Sequence, residues 1–594
     1  VNAYNTQCIA GAITFLLIDA DYSLNETFPV TINSNIYASA VKTLTIKPAL
    51  NITPVISANN DVAILKFNGA DHIIIDGSNT AGGSSRDLSF VNASTNASTS
   101  TVIFINSVNA SNGATSITVK NCMVSGDSPV NTYAAVISGG TVAGSMAEAA
   151  NENILIQNNL VIKAQNAILL NGPAGNETGN IITGNSVGSV TVTDKLSRAG
   201  IGLQHQANCQ VLNNSISGII TGDNVMVSGI SVTGEVAGVT ISGNRISDIK
   251  NTNTLASGSN GIYLASASTN SAVSVNNNFI SDVAAYGNAG GRAAADNGYG
   301  IVVDNGGGYD IFHNTVVLNS NQQVAGNPAA MNITALVTTP ASVNIKDNIF
   351  GNIQTQPGNH YAIQSTAANA VIASIDYNDY YTASGSLGYN SSDRATLADI
   401  QAGFGENLNS INVTPVYISA ADLHIDPANV SNGVNLGDRG TVAGIITDID
   451  NTSRSGFSPD MGADEWIRPN YGSWVGRISI DWLVPENWET NVVPDGNTDV
   501  TIKGGFVHMP TIVTTQAVRD LNMSSPDLAN KPILTLSNGT IQINGVIHHT
   551  GGNIDGIQGT VEMNGTMAQV IPAGLFQGNG LNNLVVGNNT AAGV

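Results

Sequence analysis

The length, composition and charge of the chain exclude several classes of protein. At 594 residues it is too long for one ordinary globular core, and 42% hydrophobic residues with 63 glycines favour an elongated repeat over a disordered chain. A formal net charge of -22 would repel nucleic acid and anionic membranes, so metal cations or neutral glycans are the better partners. No apolar run approaches the roughly 18 residues of a membrane span.

A pattern of apolar residues and asparagine recurs through the middle of the chain. Its form is apolar-x-apolar-x-x-Asn-x-apolar, and Cys122 takes the place of asparagine in an early copy. The other copies are centred on Asn159, Asn185, Asn214, Asn244, Asn278, Asn314, Asn348 and Asn378. Successive centres are separated by 26 to 37 residues, which is typical of coils that share short strands and differ in their surface loops.

A second strand pattern precedes these centres, as in Gly229–Val232, Gly261–Leu264 and Gly300–Val303. Its period-two alternation turns one face inward. Together the two patterns predict an all-β fold, a right-handed parallel β-helix of about twelve coils followed by a smaller β-rich module. We expect the recurrent asparagine to adopt left-handed backbone angles where it leaves a strand, and its stacked copies to form an internal ladder.

One coil contains the best candidate for a ligand site, formed by Asp296, Asp304, Asp310 and His313. They border the strand Gly300–Val303, and we expect Asp304 and Asp310 to point outward. These side chains could bind a cation or a sugar, although solvated polar residues beside a glycine-rich loop are the favoured interpretation. The chain contains neither the paired-aspartate motif nor the Gly-His-Gly of polygalacturonase-like chains, so we predict no catalytic residue.

The densest acidic cluster follows the predicted coils and contains Asp448, Asp450, Asp460, Asp464 and Glu465. Such carboxylates could collect a Ca²⁺ ion, although their spacing does not follow an EF-hand loop. The alternative is a rigid cap in which the acidic side chains accept hydrogen bonds from backbone amides and shield the last coil. No other cofactor is predicted.

Cysteine and tryptophan are rare and are expected to be structural. Cys8, Cys122 and Cys209 are too scattered for a disulfide framework or a zinc site, and we interpret them as small buried apolar residues. The last module contains three closely spaced tryptophans, Trp474, Trp482 and Trp488. They could stack on sugar rings, but packing in a core is favoured.

The flanking stretches resemble a known family in both content and order. The entry stretches are Phe15–Tyr22, Glu26–Ile32, Leu44–Pro48 and His72–Gly77, the exit stretches are Asp376–Tyr381, Asp422–Ile425, Asp448–Asn451 and Pro459–Glu465, and the module stretches are Ser473-Trp474, Asp481-Trp482 and Asn487-Trp488. They resemble large secreted β-helix surface proteins of Bacteroidota, with a pectate-lyase-like fold. The resemblance implies an entry or capping segment over residues 1–60, the β-helix with its exit cap over 61–466 and a β-rich module over 467–594.

The resemblance implies location more than activity. Such proteins are exported by a type IX secretion system, so the expected partners include the secretion machinery of the outer membrane, and the expected location is extracellular or on the outer cell surface. The chain begins at Val1 without a signal peptide and stops at Val594 within a β-like pattern, so we expect truncation at both ends.

Three functions remain open from the sequence. The leading hypothesis is a non-catalytic cell-surface protein, an adhesin or structural stalk that could bind a polysaccharide or a cell-surface glycan. A polysaccharide lyase or glycoside hydrolase of the parallel β-helix type is the first alternative, because this fold hosts such enzymes. The second is the carbohydrate-binding part of a larger secreted enzyme.

Overall fold

The chain folds into two compact units, and in the part that the structure describes the regular secondary structure is almost entirely β-strand. The computed structural model describes residues 1–255, 257–426, 429, 439–441, 443–455, 459–466, 471–524 and 531–588. The first unit contains Val1–Ile425 and the described residues between 439 and 465, and the second contains the described residues from Trp466 onward, with Asp426 and Asn429. Among the described residues, none of the helices has the length and apolar character that a membrane span requires.

Three long sheets, here named A, B and C, form the first unit. The twelve strands of sheet A are Ile13–Leu17, Leu44–Pro48, Asp71–Asp76, Thr115–Lys120, Leu155–Gln157, Ile181–Thr183, Gln210–Leu212, Thr240–Ser242, Val273–Asn276, Tyr309–Phe312, Val343–Lys346 and Ile372–Asp376. The eleven strands of sheet B are Val55–Ala58, Leu88–Asn92, Cys122–Ser125, Leu160–Ile162, Ser186–Val187, Ser215–Ile216, Arg245–Ile246, Phe279–Ser281, Thr315–Leu318, Ile349–Asn352 and Asp379–Thr382.

Sheet C has sixteen strands. Its main path is Val30–Asn33, Leu65–Asn68, Thr101–Asn106, Ala134–Gly139, Ala164–Asn171, Leu196–Gln204, Val227–Gly234, Ser259–Ser266, Gly298–Asn305, Ala329–Ile333, Tyr361–Ser365, Gly388–Asn390 and Ser392–Arg394, and three short strands, Ile219–Thr221, Ile249–Asn251 and Val283–Ala284, pair beside it. The smaller elements are the two-stranded sheet Glu177–Thr178 with Gln206–Ala207, the α-helices Asn2–Thr6 and Leu397–Phe404, and the 3₁₀ turns Val192–Asp194 and Asn369–Val371.

The order of the strands is that of a parallel β-helix, so the predicted fold class is confirmed. From residue 71 to residue 365 each coil adds one strand to sheet A, one to sheet B and one to the main path of sheet C, and three of the coils add a second, short strand to sheet C. Pairing within these sheets is parallel except where Gly388–Asn390 meets Ser392–Arg394. The entry segment 1–60 already contributes strands to all three sheets.

The interior of the first unit is one continuous apolar core. In sheet C, Ile230 is in register with Ile262, which is in register with Ile301, and all three side chains are fully buried. Because every strand pairs with the same position of the next coil, an apolar residue at one inward position stacks on its equivalent. Burial of these rows drives the stacking of the coils.

The predicted asparagine ladder lies inside the corner between sheets A and B. Asn214 donates from its backbone N–H and from Nδ2 to Oδ1 of Asn244, each at 3.0 Å, and Asn244 repeats both contacts with Asn278 at 3.0 Å. The same pairs of bonds join Asn159 through Asn378, and Cys122 donates its backbone N–H to Asn159 Oδ1 at 2.9 Å. The ladder therefore satisfies buried backbone groups that no strand pairing reaches.

The residue that makes the sharp turn at this corner is not the ladder asparagine, so that expectation was wrong. The left-handed conformation belongs to the preceding residue, as in Asn158 (φ 51°), Gly243 (φ 70°) and His313 (φ 51°). One residue in the left-handed conformation turns the chain sharply between the two strands, so the side chain of the next residue points inward. Asparagine is then selected at the ladder position for its amide and not for its backbone freedom.

The cysteines only partly match the prediction. All three are free thiols, and Cys122 and Cys209 are buried in the apolar core, but Cys8 is exposed. Cys8 follows the helix Asn2–Thr6, outside the stacked coils.

The second unit is also built from parallel strands. One sheet contains Tyr471–Ser473, Asp499–Lys503, Leu521–Ser524 and Ile547–His549, the other contains Thr511–Ile512, Thr515–Val518, Ile533–Ile543, Asn553–Met563 and Phe576–Val586, and a 3₁₀ turn spans Pro485–Asn487. The three tryptophans are at most 1% exposed, and the ring centroids of Trp482 and Trp488 lie 4.6 Å apart. They form part of this unit's core and have no face free for a sugar ring.

Candidate functional site

The structure separates the four residues of the candidate ligand site. Asp304 lies on the outer face of sheet C, and Asp296 lies in the loop before the same strand, where it accepts hydrogen bonds from Asn288 Nδ2 and the backbone N–H of Ala293. Asp310 lies on sheet A, where it accepts a hydrogen bond from Asn344 at 2.6 Å. Both Asp304 and Asp310 are partly exposed.

His313 lies at the corner between sheets A and B and is fully buried. Its Nε2 is 3.5 Å from Oδ2 of Asp347, another buried residue, which also accepts a hydrogen bond from the backbone N–H of Thr441. Burial lowers the pKa of His313 well below its usual value, with the charge of Arg454 adding to the effect, and raises the pKa of Asp347 to about 7. His313 is therefore a neutral buried side chain that no extended ligand can reach.

The outer face of sheet C brings aromatic and polar side chains together across adjacent coils. The outward row at its centre is Ser231, Tyr263, Val302, Asn332, Gln364 and Tyr389, each in register with the next. Strands stack about 4.8 Å apart, so Tyr263 and Tyr389 are separated by about 19 Å along the coil axis. We call this row with Arg292, Asp304, Tyr361 and Asp393 the tyrosine face.

Arg292 is held flat at one end of the tyrosine face. Its guanidinium carbon lies 3.6 Å from the ring centroid of Tyr389 and 5.3 Å from that of Tyr361. Nη1 donates to Gln364 Oε1 at 2.5 Å, and Gln364 is itself positioned by donating to Asn332 at 3.0 Å. Nη2 donates to the hydroxyl of Tyr361 at 3.3 Å, and the five N–H donors of a guanidinium exceed these two contacts.

The other end of the tyrosine face is built around Asp304. Its carboxylate accepts hydrogen bonds from the hydroxyl groups of Tyr263 and Thr334, each at 2.7 Å. At the Arg292 end, the hydroxyl of Tyr361 donates in the same way to Asp393 at 2.7 Å. Tyr263, Arg292 and Tyr389 are partly exposed and Asp393 is exposed, so aromatic rings, a cation and carboxylates reach solvent on one surface.

The tyrosines of this face are donors and not bases. Burial and the neighbouring Asp304 raise the pKa of Tyr263, and burial with the hydrogen bond to Asp393 raises the pKa of Tyr361 to about 12. Both hydroxyl groups therefore stay protonated near neutral pH. The carboxylates they contact are engaged as acceptors, which suits recognition of hydroxyl groups better than abstraction of a proton.

The structure divides the five acidic residues of the predicted calcium site. Asp448 accepts hydrogen bonds from the backbone N–H groups of Asp450, Thr452 and Glu465, which is the cap role considered as the alternative. Glu465 forms an ion pair with Arg454 at 3.1 Å and accepts a hydrogen bond from the backbone N–H of Asp460.

Asp450 and Asp464 instead lie beside a residue that sequence analysis did not include, His424. One donor atom from each of the three side chains lies within 4.8 Å of the other two. A single ion held by all five predicted residues does not fit this arrangement, whereas a smaller group of His424, Asp450 and Asp464 could hold a metal.

Sequence analysis missed most of the tyrosine face for identifiable reasons. Tyr263 occupies the outward position of the strand pattern Gly261–Leu264, so aligning that position across coils would have found it. Arg292 lies in a loop outside both patterns, and Asp393 lies on the antiparallel strand after the last coil. No repeat pattern predicts that these side chains meet.

The fold and this surface define a parallel β-helix protein with an aromatic, charged outer face. No protein-family model matches the chain, and no curated protein matches it in sequence. Similar solved structures include XylC in complex with xylose (12% identity, TM-score 0.34), the PL6 family alginate lyase AlyGC (11%, 0.35) and the Dettilon tailspike protein (13%, 0.32). The matches cover 71%, 96% and 64% of this chain, and 66%, 74% and 61% of those chains respectively, so the chain spans less than two thirds of XylC and of the tailspike.

Proposed function

We propose that the protein is an extracellular β-helix that binds a glycan on the tyrosine face without cleaving it. The observation that supports this is that Tyr263 and Asp304 at one end, and Arg292 and Tyr389 at the other, are partly exposed on one outer surface of sheet C. Sugar recognition needs apolar ring faces together with fixed hydrogen-bond donors and acceptors, and this surface supplies both. An adhesin or a stalk that presents such a face on the outer cell surface remains our preferred role.

The length of the surface favours an extended ligand. Tyr263 and Tyr389 lie about 19 Å apart along the coil axis, so a linear oligosaccharide laid along that axis would meet an aromatic side chain near each end. Asn332 and Gln364 lie between these two tyrosines and are fully buried, so they support Arg292 and do not contact the ligand. The rigid sheet holds these groups in place before the ligand arrives, which reduces the entropic cost of binding.

The chemistry of the face supports binding more than turnover. The carboxylate of Asp304 is engaged by two hydroxyl donors, and the pKa of both donor tyrosines at this face is raised. A hydrolase needs one carboxyl group to give a proton and a second to act as base or nucleophile. A lyase needs a base near neutral pH.

A glycan array probed with the full chain tests the proposal, with reducing-sugar release and unsaturated-product absorbance measured on every glycan that binds. We expect binding of at least one extended glycan with no product. Tyr389→Ala should weaken that binding by roughly 10-fold, since the contact of a sugar ring with an aromatic side chain is worth about 1 to 2 kcal/mol. Tyr37→Ala, which removes an exposed tyrosine of the entry segment, is the matched control and should bind as wild type.

Two results would contradict the proposal. The first is the absence of binding to any glycan, or binding that Tyr389→Ala leaves unchanged. The second is cleavage of a bound glycan that Asp304→Asn abolishes, which would favour the lyase or hydrolase alternative.

A further inference from the structure

We infer that His424, Asp450 and Asp464 form a binding site for a first-row transition-metal dication of the Zn²⁺ class. The site lies apart from the tyrosine face and is independent of the proposed glycan binding. His424 belongs to the segment 411–425, and the two aspartates belong to the described residues 443–455 and 459–465. A metal would join two stretches of chain whose described residues form no helix or strand of their own.

These two segments cover the outer face of sheet B. Leu423, Ile449 and Ala463 pack with Phe279 and Val317, and the backbone N–H of Ala463 donates to the hydroxyl of Thr315 at 2.9 Å. The ring of His424 stands edge-on to Phe279, with centroids 4.9 Å apart. The apolar contact fixes the imidazole at the boundary between the cover and the coils.

A neighbouring group orients each of the three side chains, so that one possible metal-binding atom of each faces the space between them. Asp422 accepts a hydrogen bond from Nδ1 of His424, which leaves Nε2 facing Asp450 at 2.7 Å. Arg245 donates to Oδ1 of Asp450 at 2.7 Å and so leaves its Oδ2 on the side of His424. This is the arrangement in which outer carboxylates and cations orient metal ligands.

Asp464 is the buried member of the three-residue group. The residue is 7% exposed, and its Oδ2 accepts one hydrogen bond, from the backbone N–H of Ile425 at 2.9 Å. Its Oδ1 receives no hydrogen bond from the described part of the chain, and no lysine or arginine there pairs with this carboxylate. Burying a carboxylate is costly unless its charge is compensated, and a bound cation at this position would supply that compensation.

The charges at the site favour a dication. Asp422, Asp450 and Asp464 face one guanidinium, that of Arg245, so the group has a charge of −2 when His424 is neutral. Metal binding requires the neutral imidazole, which would present the lone pair of Nε2 to the ion.

The donor set selects the class of metal. Zn²⁺ binds imidazole nitrogen and carboxylate oxygen at about 2.0 to 2.2 Å, which places donors about 3.3 Å apart in a tetrahedral site with water as the fourth ligand. The present separations, from 2.7 Å up to 4.8 Å, bracket that value. Ca²⁺ needs six to eight oxygen ligands, and Asp448 and Glu465 are engaged by backbone amides or by Arg454.

Equilibrium dialysis of the full chain against Zn²⁺, with metal counted by mass spectrometry and Co²⁺ absorbance as a second readout, tests the inference. We expect one tight Zn²⁺ per chain and a visible Co²⁺ spectrum of tetrahedral character. Asp464→Asn, which keeps an acceptor for Ile425, should weaken Zn²⁺ binding by roughly 100-fold, and Asp422→Asn by roughly 10-fold, because it removes only the orienting contact. His548→Gln, at an exposed histidine of the second unit, should change nothing.

The absence of stoichiometric Zn²⁺ binding in the wild type would overturn the inference, as would unchanged binding in Asp464→Asn. Preferential binding of Ca²⁺ at equal concentrations would overturn the assigned metal class. Asp422 is largely at the surface, with its side chain 44% exposed, so Asp422→Asn should fold normally and keeps the test decisive if Asp464→Asn does not fold.

Discussion

Replacing one asparagine in the middle of the internal ladder should destabilise the coils far more than its size suggests. In wild type, Oδ1 of Asn244 accepts two hydrogen bonds from Asn214, and its Nδ2 donates to the carbonyl of Val211 at 2.9 Å and to Oδ1 of Asn278 at 3.0 Å. Asn244→Ala removes these four bonds, and a fifth from Nδ2 to the carbonyl of Ser242 at 3.2 Å, from a fully buried site. It leaves one backbone N–H and one carbonyl without a partner, and weakens two neighbouring amides.

The expected cost follows from those orphaned groups. A buried donor or acceptor left without a partner costs about 1 to 3 kcal/mol, so two such groups with two weakened amides give a loss of about 4 kcal/mol in the free energy of local unfolding. Native-state hydrogen exchange measures this directly at the backbone N–H of Asn214 and at the strands on either side. The loss should fall off within a few coils, because each coil contacts only its neighbours.

The matched control is Asn270→Ala, which removes an exposed asparagine from the same region and should change the free energy by less than about 0.5 kcal/mol. A loss below about 1 kcal/mol in Asn244→Ala would refute the reasoning, since it would mean that water satisfies the orphaned groups. A loss spread evenly over all coils would refute the nearest-neighbour account.

Two buried features make further predictions. Glu177 is fully buried, and burial raises its pKa from 4.5 to about 7, so its contribution to stability is complete below pH 4.5 and is lost as the pH rises through 7. Because of this residue, the free energy of unfolding measured by urea denaturation should fall by about 3 kcal/mol between pH 4.5 and 8. Glu177→Gln should flatten this dependence of the free energy on pH, whereas Glu235→Gln, at an exposed glutamate, should leave it unchanged. An unchanged pH dependence in Glu177→Gln would contradict the raised pKa of Glu177. In the native chain a thiol reagent should modify Cys8 alone, because Cys122 and Cys209 are buried and burial raises the pKa of both thiols. All three cysteines should react in denaturant. Reaction of more than one thiol per native chain would contradict the burial of Cys122 and Cys209 in the coils.

The parts of the fold that sequence analysis predicted are those that repeat locally. The ladder positions recur at a fixed place relative to two inward apolar residues, so one coil predicts the next, and Cys122 could be assigned by its place in the pattern alone. The left-handed turn was assigned one residue too late, because glycine, asparagine and histidine all occupy that position and no single residue type identifies it.

The candidate sites could not be predicted in the same way because they join parts of the chain that no pattern relates. Arg292 reaches Tyr361 and Tyr389 from a loop, about 70 and 100 residues before them in the chain. His424 meets Asp450 across 26 residues, and Arg245 meets the same carboxylate across 205. The clustering of carboxylates in the sequence predicted an acidic site in this part of the chain. Only the folded chain shows which of these carboxylates accept hydrogen bonds from backbone amides and which lie beside His424.

A crystal structure of the full chain grown with the glycan that binds most tightly on the array would test the central proposal most directly. We predict an intact oligosaccharide along sheet C, with one sugar ring against Tyr389 and another near Tyr263, and with hydroxyl groups contacting Arg292 and Asp304. A sugar bound on another surface, or a cleaved product on this one, would contradict the account of a glycan-binding β-helix without turnover.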